Sequence, residues 1–309
     1  MILKYVKTDK DKYFSLRQVV EQEFKISYNL CVKLKKSNRI FVNGVNTYLD
    51  SQINVGDIIT INIDFDEYNA NVVPTEMKLD ILYEDDCLLI LNKPAGIPVH
   101  PSILHFENSL SNGVKYYFDK TNLHRKIRPV NRLDRNTSGI VVFAKNEYVH
   151  SILSKQMQNK LFKKEYIAIC EGIFEEKQGT INAPISRKEN SIIERCVSSS
   201  GDVAITHYKV LKEFKNPLNN KSTDNEIDKY FSEILVNLET GRTHQIRVHT
   251  AYIGHPIVGD SLYGNVSDLI DRQALHGYKI EFLHPITKNK MSIMAPIPED
   301  IKQMLFHKK

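Results

Sequence analysis

Tryptophan is absent from the 309 residues, and lysine, asparagine and isoleucine are plentiful. That pattern reads as coding bias and excludes no function. Cysteine is scarce: Cys31, Cys87, Cys170 and Cys196 stand far apart with no CxxC pair, which argues against a zinc ribbon. A core of this size needs no disulfides, so a reducing, cytoplasmic setting is expected. No apolar run approaches the ~20 residues that span a bilayer. The longest resemble Gly139–Ala144, and the N-terminus MILKYVKTDKDKYF lacks an apolar stretch behind a basic start. Neither a signal peptide nor a membrane partner is expected. There is no P-loop and no GxGxxG, so nucleotide hydrolysis and a dinucleotide cofactor lack support. His244, His249 and His255 do not follow metal-pair spacing, and structural hydrogen bonding is expected of them. No metal and no cofactor are therefore expected.

What is present suits an ordinary globular core, with 41% hydrophobic and 26% charged residues. The net charge of +5 is a mild basic excess whose placement matters more than its sum. Residues 1–65 read as a small separate module. Leu16, Val19, Val20 and Phe24 fall at helical spacing within Ser15–Phe24, and Ser27 begins a second short helix with Leu30, Cys31 and Leu34 inward. A strand over Arg39–Val42, an Asn43-Gly44 turn and a return strand Val45–Leu49 come next, and Val55-Gly56-Asp57 leads into Ile58–Ile63. Residues 66–78 form a polar linker containing Pro74, and residues 79–309 form a second domain. There, Leu88–Leu91, Ile140–Ala144, Tyr166–Cys170, Val203–Leu211, Ile234–Leu238, Lys279–Leu283 and Met291–Met294 read as strands. Helices are expected over Glu147–Lys160 and Thr243–Ile253, and residues 213–230 as an exposed hairpin loop. The fold class is α+β: a large mixed, mainly antiparallel sheet with flanking helices, plus a small α+β N-terminal module.

Between Glu23 and Asp50 no carboxylate occurs, while Lys25, Lys33, Lys35, Lys36 and Arg39 do. Such a strip suits a phosphate backbone and equally a solvated helix face; charge alone leaves both open. A second basic stretch runs from Lys120 to Lys145, where Asp134 is the one carboxylate, set between Arg132 and Arg135. Nearby positive charge favours the ionised form, so Asp134 is expected to be a persistent anion. Asn136-Thr137-Ser138-Gly139 reads as a turn into a buried strand, so Asp134 stands in a loop fixed to a sheet edge. The bland reading of an RxDR string is a structural Asp bridging two arginines. Against it, a carboxylate inside an RNA-binding strip repels phosphate, a cost easier to understand if the group does chemistry. Thr243 is expected to cap a helix ending near Gly254 that carries Arg247. No carboxylate lies between Glu239 and Asp260, so Arg247 needs an acidic partner from elsewhere, with Asp134 as the candidate and a phosphate as the alternative.

Family resemblance sharpens this. Pro129 to Gly139, PVNRLDRNTSG, followed by Ala144-Lys145, resembles the central motif of the RluA family of pseudouridine synthases. Asn92-Lys93-Pro94-Ala95-Gly96, Lys164 to Ala168, Gly241 to His249 (GRTHQIRVH) and Phe282 to Pro285 resemble further motifs of that family in the same order. The resemblance implies that Asp134 is the catalytic residue, that Tyr166 lines the active site, and that Arg247 pairs with Asp134. It implies a role for Arg132 in opening RNA around a flipped base, with Arg135 and Arg242 as further RNA contacts. Asn131 stands where the family usually has His, and Asp202 where Lys is common. The N-terminal order of helices and strands resembles the S-four type of RNA-binding module, which implies RNA contacts at Lys33, Lys35, Lys36 and Arg39.

The expected activity is isomerisation of uridine to pseudouridine in structured RNA, by a monomer. The reaction is redox-neutral and uses no energy source, in keeping with the missing cofactor motifs. Positive charge built on the anomeric carbon during glycosidic cleavage is met by an anionic carboxylate, and a stacked uridine must first be flipped out. Large-subunit ribosomal RNA is the expected substrate, with transfer RNA as an alternative. A non-catalytic RNA-binding assembly factor and a small-glycoside hydrolase are the competing classes; the latter normally needs a carboxylate pair.

Overall fold

The computed structural model describes residues 1–68, 71–102, 105–217 and 230–305. The chain opens with β1 (Ile2–Val6), a short helix α1 (Leu16–Gln18) that runs into a wider π-helical turn over Val19–Glu23, and α2 (Tyr28–Lys36). Strands β2 (Ile40–Val42), β3 (Val45–Asn46) and β4 (Ile58–Asn62) complete a four-stranded sheet in the order β1-β4-β2-β3. Ser15 caps α1 through reciprocal bonds with Gln18, and Ser27 accepts from Leu30 N–H at the start of α2. The expected return strand after Asn43-Gly44 stops at Asn46, and β1 is an element the sequence pattern did not reveal.

The larger sheet has nine strands. Its first part comprises β5 (Ile81–Glu84), β6 (Leu88–Lys93) and β7 (Ser138–Ala144), with α3 (Leu110–Lys120) between β6 and β7 and α4 (Glu147–Gln158) after β7. Its second part comprises β8 (Lys163–Glu171), β9 (Gln178–Asn182), β12 (Ile205–Lys215), β13 (Tyr230–Leu238), β14 (Leu275–Leu283) and β15 (Lys290–Met294). A separate hairpin pairs β10 (Ile185–Arg187) with β11 (Arg195–Val197); α5 (Gln245–Tyr252) and α6 (Glu299–Leu305) close the count. The order is β5-β6-β7-β14-β8-β13-β12-β9, with β15 on β14, and β7 with β14 is the parallel pair. The expected loop over residues 213–230 falls mostly outside the described residues; β12 runs on to Lys215 and β13 starts at Tyr230.

Period-2 alternation divides the first part between two cores. Leu89, Leu91, Val141 and Phe143 pack on Leu110, Val114 and Phe118 of α3. Leu88, Ile90, Ile140, Val142 and Ala144 face the other way, onto Tyr148, Val149, Ile152 and Leu153 of α4. This is why β6 and β7 read as continuous apolar runs. The second core continues without a break into the N-terminal sheet through Leu34, Ile59 and Ile61. Around its rim Arg128 forks onto Glu67 at 2.6 Å, Lys33 pairs with Glu147, and Lys155 donates to the Lys25 carbonyl at 2.9 Å. The N-terminal module therefore rests on α4 through α2 and the loop before it.

The two parts of the large sheet join at β7 and β14, where Ser138 pairs with His276 and Gly139 with Gly277. Gly139 has φ +122°, and a Cβ there would lie 2.3 Å from the Gly277 carbonyl oxygen. Gly139→Ala should therefore destabilise the fold by more than about 3 kcal/mol, read by denaturant unfolding; an unchanged midpoint would contradict this packing. Ser138 Oγ meets His276 Nδ1 at 2.9 Å inside the junction, and burial pushes the His276 imidazole down to about 4. The unfolded chain takes up that proton near the ordinary histidine pKa while the folded one refuses it. Stability present above pH ~6.5 should be lost as pH falls towards 4, by about 3 kcal/mol from this group. Unfolding curves of wild type and His276→Gln across that window should converge on acidification; parallel curves would refute the attribution.

Candidate active site

Asp134 lies in the loop that precedes β7, and the loop is held from several directions. Asn131 is buried and acts as a strand mimic, donating from Nδ2 to the Ile140 carbonyl and accepting the Val142 N–H, both at 2.9 Å. Lys93, fully buried at the end of β6, donates to the carbonyls of Pro94, Ile97 and Arg135. Burial pulls the Lys93 ammonium down to about 7, with Asp134 opposing and Arg272 adding to the fall. From the far side of the junction Arg272 donates to the Asn136 carbonyl and Gln273 to Thr137 Oγ1. The departure at Asn131 thus has a structural use: it fastens the loop to the strand.

The arginines next to Asp134 in sequence are not its partners. No ion pair joins Asp134 to Arg132 or Arg135 among the described residues; Arg135 approaches His105 instead, at 3.4 Å. The groups that reach the Asp134 carboxylate come from α5. Arg247 Nη1 stands 3.5 Å from Oδ2, and His244 Nε2 stands 4.0 Å from the same oxygen. Arg247 has a closer anion than Asp134. Its Nε and Nη2 fork onto Asp260 at 2.6 and 2.7 Å, and Asp260 is buried and also accepts the N–H groups of Leu262 and Tyr263. The expectation that Arg247 needs Asp134 as its acidic partner is corrected to this extent: Asp260, at the edge of the carboxylate-free stretch, is the main partner, and Nη1 faces Asp134 at the longer distance. Burial disfavours the guanidinium, yet Asp260 and then Asp134 outweigh it and raise its pKa.

A second correction concerns the start of α5. The residue at the helix N-cap is His244, with φ 57°, rather than Thr243. No side-chain cap is present there; Gln245 ties the turn down instead, accepting from Arg242 N–H and Thr240 Oγ1 and donating to the Ile205 carbonyl. The expected structural bonds of the histidines are seen. His249 joins Thr206 Oγ1 and the Ala183 carbonyl, His255 meets the Glu171 carbonyl, and His244 Nδ1 meets the Tyr263 hydroxyl at 2.8 Å.

Asp134, Tyr166 and Arg247 line one cleft of about 780 Å³. This is ample for a nucleotide. Tyr166, buried on β8, keeps its proton: burial and then the Asp134 charge push the phenol far above its usual range. Lys164 lies on the same strand face and also lines the cleft, without an ion pair among the described residues. Arg132 and Arg242 line the cleft too, and Arg242 leans on Asp202 at 3.5 Å and the Val203 carbonyl at 3.0 Å. The N-terminal strip divides. Lys35 and Lys36 are exposed without ion pairs among the described residues, Lys33 pairs with Glu147, and Arg39 bonds the Asp64 carbonyl beside the Phe65 ring. Sequence reasoning missed Asp260 and Tyr263 as parts of this site. The absence of any nearer carboxylate for Arg247 was the available signal for Asp260.

One cluster outside the cleft, Asp85, Cys87 and His284, has the donor types of a metal site. It is closed by its own bonds. Asp85 accepts from Cys87 and Leu88 N–H, from the Tyr83 hydroxyl and from His284 Nε2, while His284 Nδ1 accepts from Thr287 N–H. Burial pushes the Cys87 thiol up to about 12, which disfavours a metal-binding thiolate.

Residues 87–252 match the family model described as RNA pseudouridylate synthase. A relative from Bacillus subtilis (strain 168), the uncharacterized RNA pseudouridine synthase YhcT, is 39% identical over 94% of this chain and 91% of its own. The ribosomal large subunit pseudouridine synthase D of Xylella fastidiosa (strain Temecula1 / ATCC 700964) is 32% identical over 87% of this chain and 81% of its own. Among solved structures, human RNA pseudouridylate synthase domain containing 1 aligns with a TM-score of 0.57 at 26% identity, covering 71% of this chain and 83% of that one.

The two carboxylates beside Arg247 should differ sharply in their effect on stability. Asp260→Ala leaves a buried guanidinium without its fork and should cost about 3–5 kcal/mol in denaturant unfolding. Asp134→Ala removes a part-exposed, longer contact and should cost less than about 1 kcal/mol. Equal losses would show that the two anions share Arg247 evenly.

Proposed function

Because this chain belongs to the RNA pseudouridylate synthase family, of the RluA type, we propose that it isomerises defined uridines of large-subunit ribosomal RNA, with Asp134 as the reacting carboxylate. The observation that carries the reading is convergence: a loop before β7, the start of β8 and the first turn of α5 bring Asp134, Tyr166 and Arg247 into one basic cleft. The relative from Xylella fastidiosa, a large-subunit enzyme by name, supports the choice of RNA.

The chemistry is set by these groups. The bond from the ribose anomeric carbon to the uracil nitrogen breaks, the base turns, a bond to the ring carbon C5 forms, and the C5 proton is lost while the nitrogen gains one. Asp134 meets the positive charge that develops on the sugar, by attack or by removing a sugar proton. Its carboxylate is not cancelled by Arg247, which Asp260 already neutralises, so the anion remains available. Tyr166, its phenol pKa raised by burial and the Asp134 charge, stacks on the uracil with its hydroxyl near the base, where it is the candidate for handling the C5 proton. Arg132, exposed at the mouth of the cleft, fills the space vacated by the flipped base.

The N-terminal module extends the grip. It rests on α4, whose Lys155 bonds to it and whose Met157 lines the cleft, so Lys35 and Lys36 reach RNA that flanks the target. The cleft is complete within one chain, which supports action as a monomer. The working compartment is the cytoplasm, where ribosomal RNA is made and assembled.

Chemical mapping of pseudouridine in total RNA, with and without the gene, tests the proposal. Defined large-subunit sites should vanish in the deletion, return with the wild-type gene, and stay absent with Asp134→Asn. Loss confined to transfer RNA would replace the substrate, and restoration by Asp134→Asn would remove Asp134 from the chemistry.

A further inference from the structure

His244 is the group in the cleft whose conformation is hardest to account for as packing alone. Its backbone is left-handed, with φ 57°, a region that residues bearing a Cβ enter sparingly and mostly where surroundings compel it. The consequence is that its ring enters the cleft and stands with Nε2 4.0 Å from Asp134 Oδ2. The other ring nitrogen, Nδ1, is held by the Tyr263 hydroxyl at 2.8 Å.

The protonation of that ring can be assigned from its neighbours. The Tyr263 hydroxyl accepts the Arg195 N–H at 2.9 Å, from the first residue of β11. Its own proton has one acceptor among the described residues, His244 Nδ1. With Nδ1 accepting, the neutral imidazole carries its proton on Nε2, the nitrogen that faces Asp134. The surroundings agree. Burial disfavours the imidazolium, Arg247 and Arg195 act the same way, and Asp134 and Asp260 oppose them without prevailing.

Tyr263 belongs to the turn that carries Asp260, and the same ring lies over the Arg247 guanidinium, 5.0 Å from its centre. One short turn after Gly259 therefore fixes both groups that face Asp134: Arg247 through the Asp260 fork and the Tyr263 ring, and His244 through the Tyr263 hydroxyl. Both aim at Oδ2. No hydrogen bond reaches Asp134 Oδ1 among the described residues.

Resting on the reading that Asp134 reacts with the sugar, we propose that His244 is a positioning residue. Held by Tyr263 as a neutral Nε2–H donor, it locks Oδ2 of Asp134 jointly with Arg247 and leaves Oδ1 as the oxygen presented to the ribose. The contact closes from its present length when RNA fills the cleft, as active-site hydrogen bonds commonly do. Gln at this position retains a donor; Ala does not. Phe at 263 keeps the ring over Arg247 and loses the hydroxyl that orients His244 and accepts the Arg195 N–H.

The test uses the full chain and an in vitro transcript of large-subunit ribosomal RNA carrying tritium at uracil C5, with tritium release measured under single turnover and RNA affinity by filter binding. Absence of release with the wild-type enzyme would refute the substrate reading on its own, whatever the variants do. With an active wild type, His244→Ala should lower the saturated rate by about 10- to 100-fold, the worth of one hydrogen bond to a charged group. Its affinity for the transcript should change by less than about threefold. His244→Gln should recover part of the rate. Tyr263→Phe should slow the reaction, and adding it to His244→Ala should cost nothing further, because the two act as one unit. The proposal is overturned by a wild-type rate in His244→Ala, by affinity lost in parallel with rate, or by His244→Gln no better than Ala. Should His244→Ala not fold, Tyr263→Phe at the full wild-type rate would overturn it alone.

Discussion

Two half-sheets meet along a very short parallel seam, and everything catalytic depends on that seam. Ser138 and Gly139 of β7 lie against His276 and Gly277 of β14, so closely that a side chain at Gly139 has no room. Asp134 belongs to the β5-β6-β7 part, while Tyr166, His244 and Arg247 belong to the β14-β8-β13-β12-β9 part and its helix. The cleft is the line where they face each other. Arg272 and Gln273 cross the same line to hold the Asp134 loop, so the seam sets distance as well as contact.

Charge is arranged on that frame with some economy. Arg247 is buried, and a buried cation requires a close anion. Asp260 supplies it through two short bonds, which leaves Asp134 with a weaker, longer contact. Had Asp134 been the fork's own partner, as the sequence suggested, it would have been held by the two short bonds that Asp260 now accepts. The same separation of tasks applies to Tyr166. Burial and then the Asp134 charge raise its phenol well above the usual range, which favours the protonated hydroxyl.

The basic residues read from the sequence proved unequal once packed. Lys33 and Arg39 are engaged with carboxylate, carbonyl and ring at the contact between the N-terminal sheet and the rest of the chain, whereas Lys35 and Lys36 point outward. A count of like charges does not reveal which of them a neighbouring element will claim, because that neighbour, here Glu147, lies more than a hundred residues away. Shared apolar surface explains why the two modules pack as one: Leu34, Ile59 and Ile61 finish the core begun by Ala144 and Leu153.

Local sequence determined much. The apolar runs of β6, β7 and β8, the Ser27 cap of α2 and the lone carboxylate of the Lys120 to Lys145 stretch are all local patterns, and ordered motifs carried the family and the cleft residues. The short edge strand β1 escaped because its partner β4, distant in the chain, stabilises it, not its own periodicity. The helix start moved from Thr243 to His244 because Gln245 reaches β12 to tie the turn. Most of all, tertiary structure decided the partner of Arg247 and the orientation of His244. Asp260 and Tyr263 come from a separate turn, and which donor meets which oxygen is a question of distances that no spacing along a chain contains.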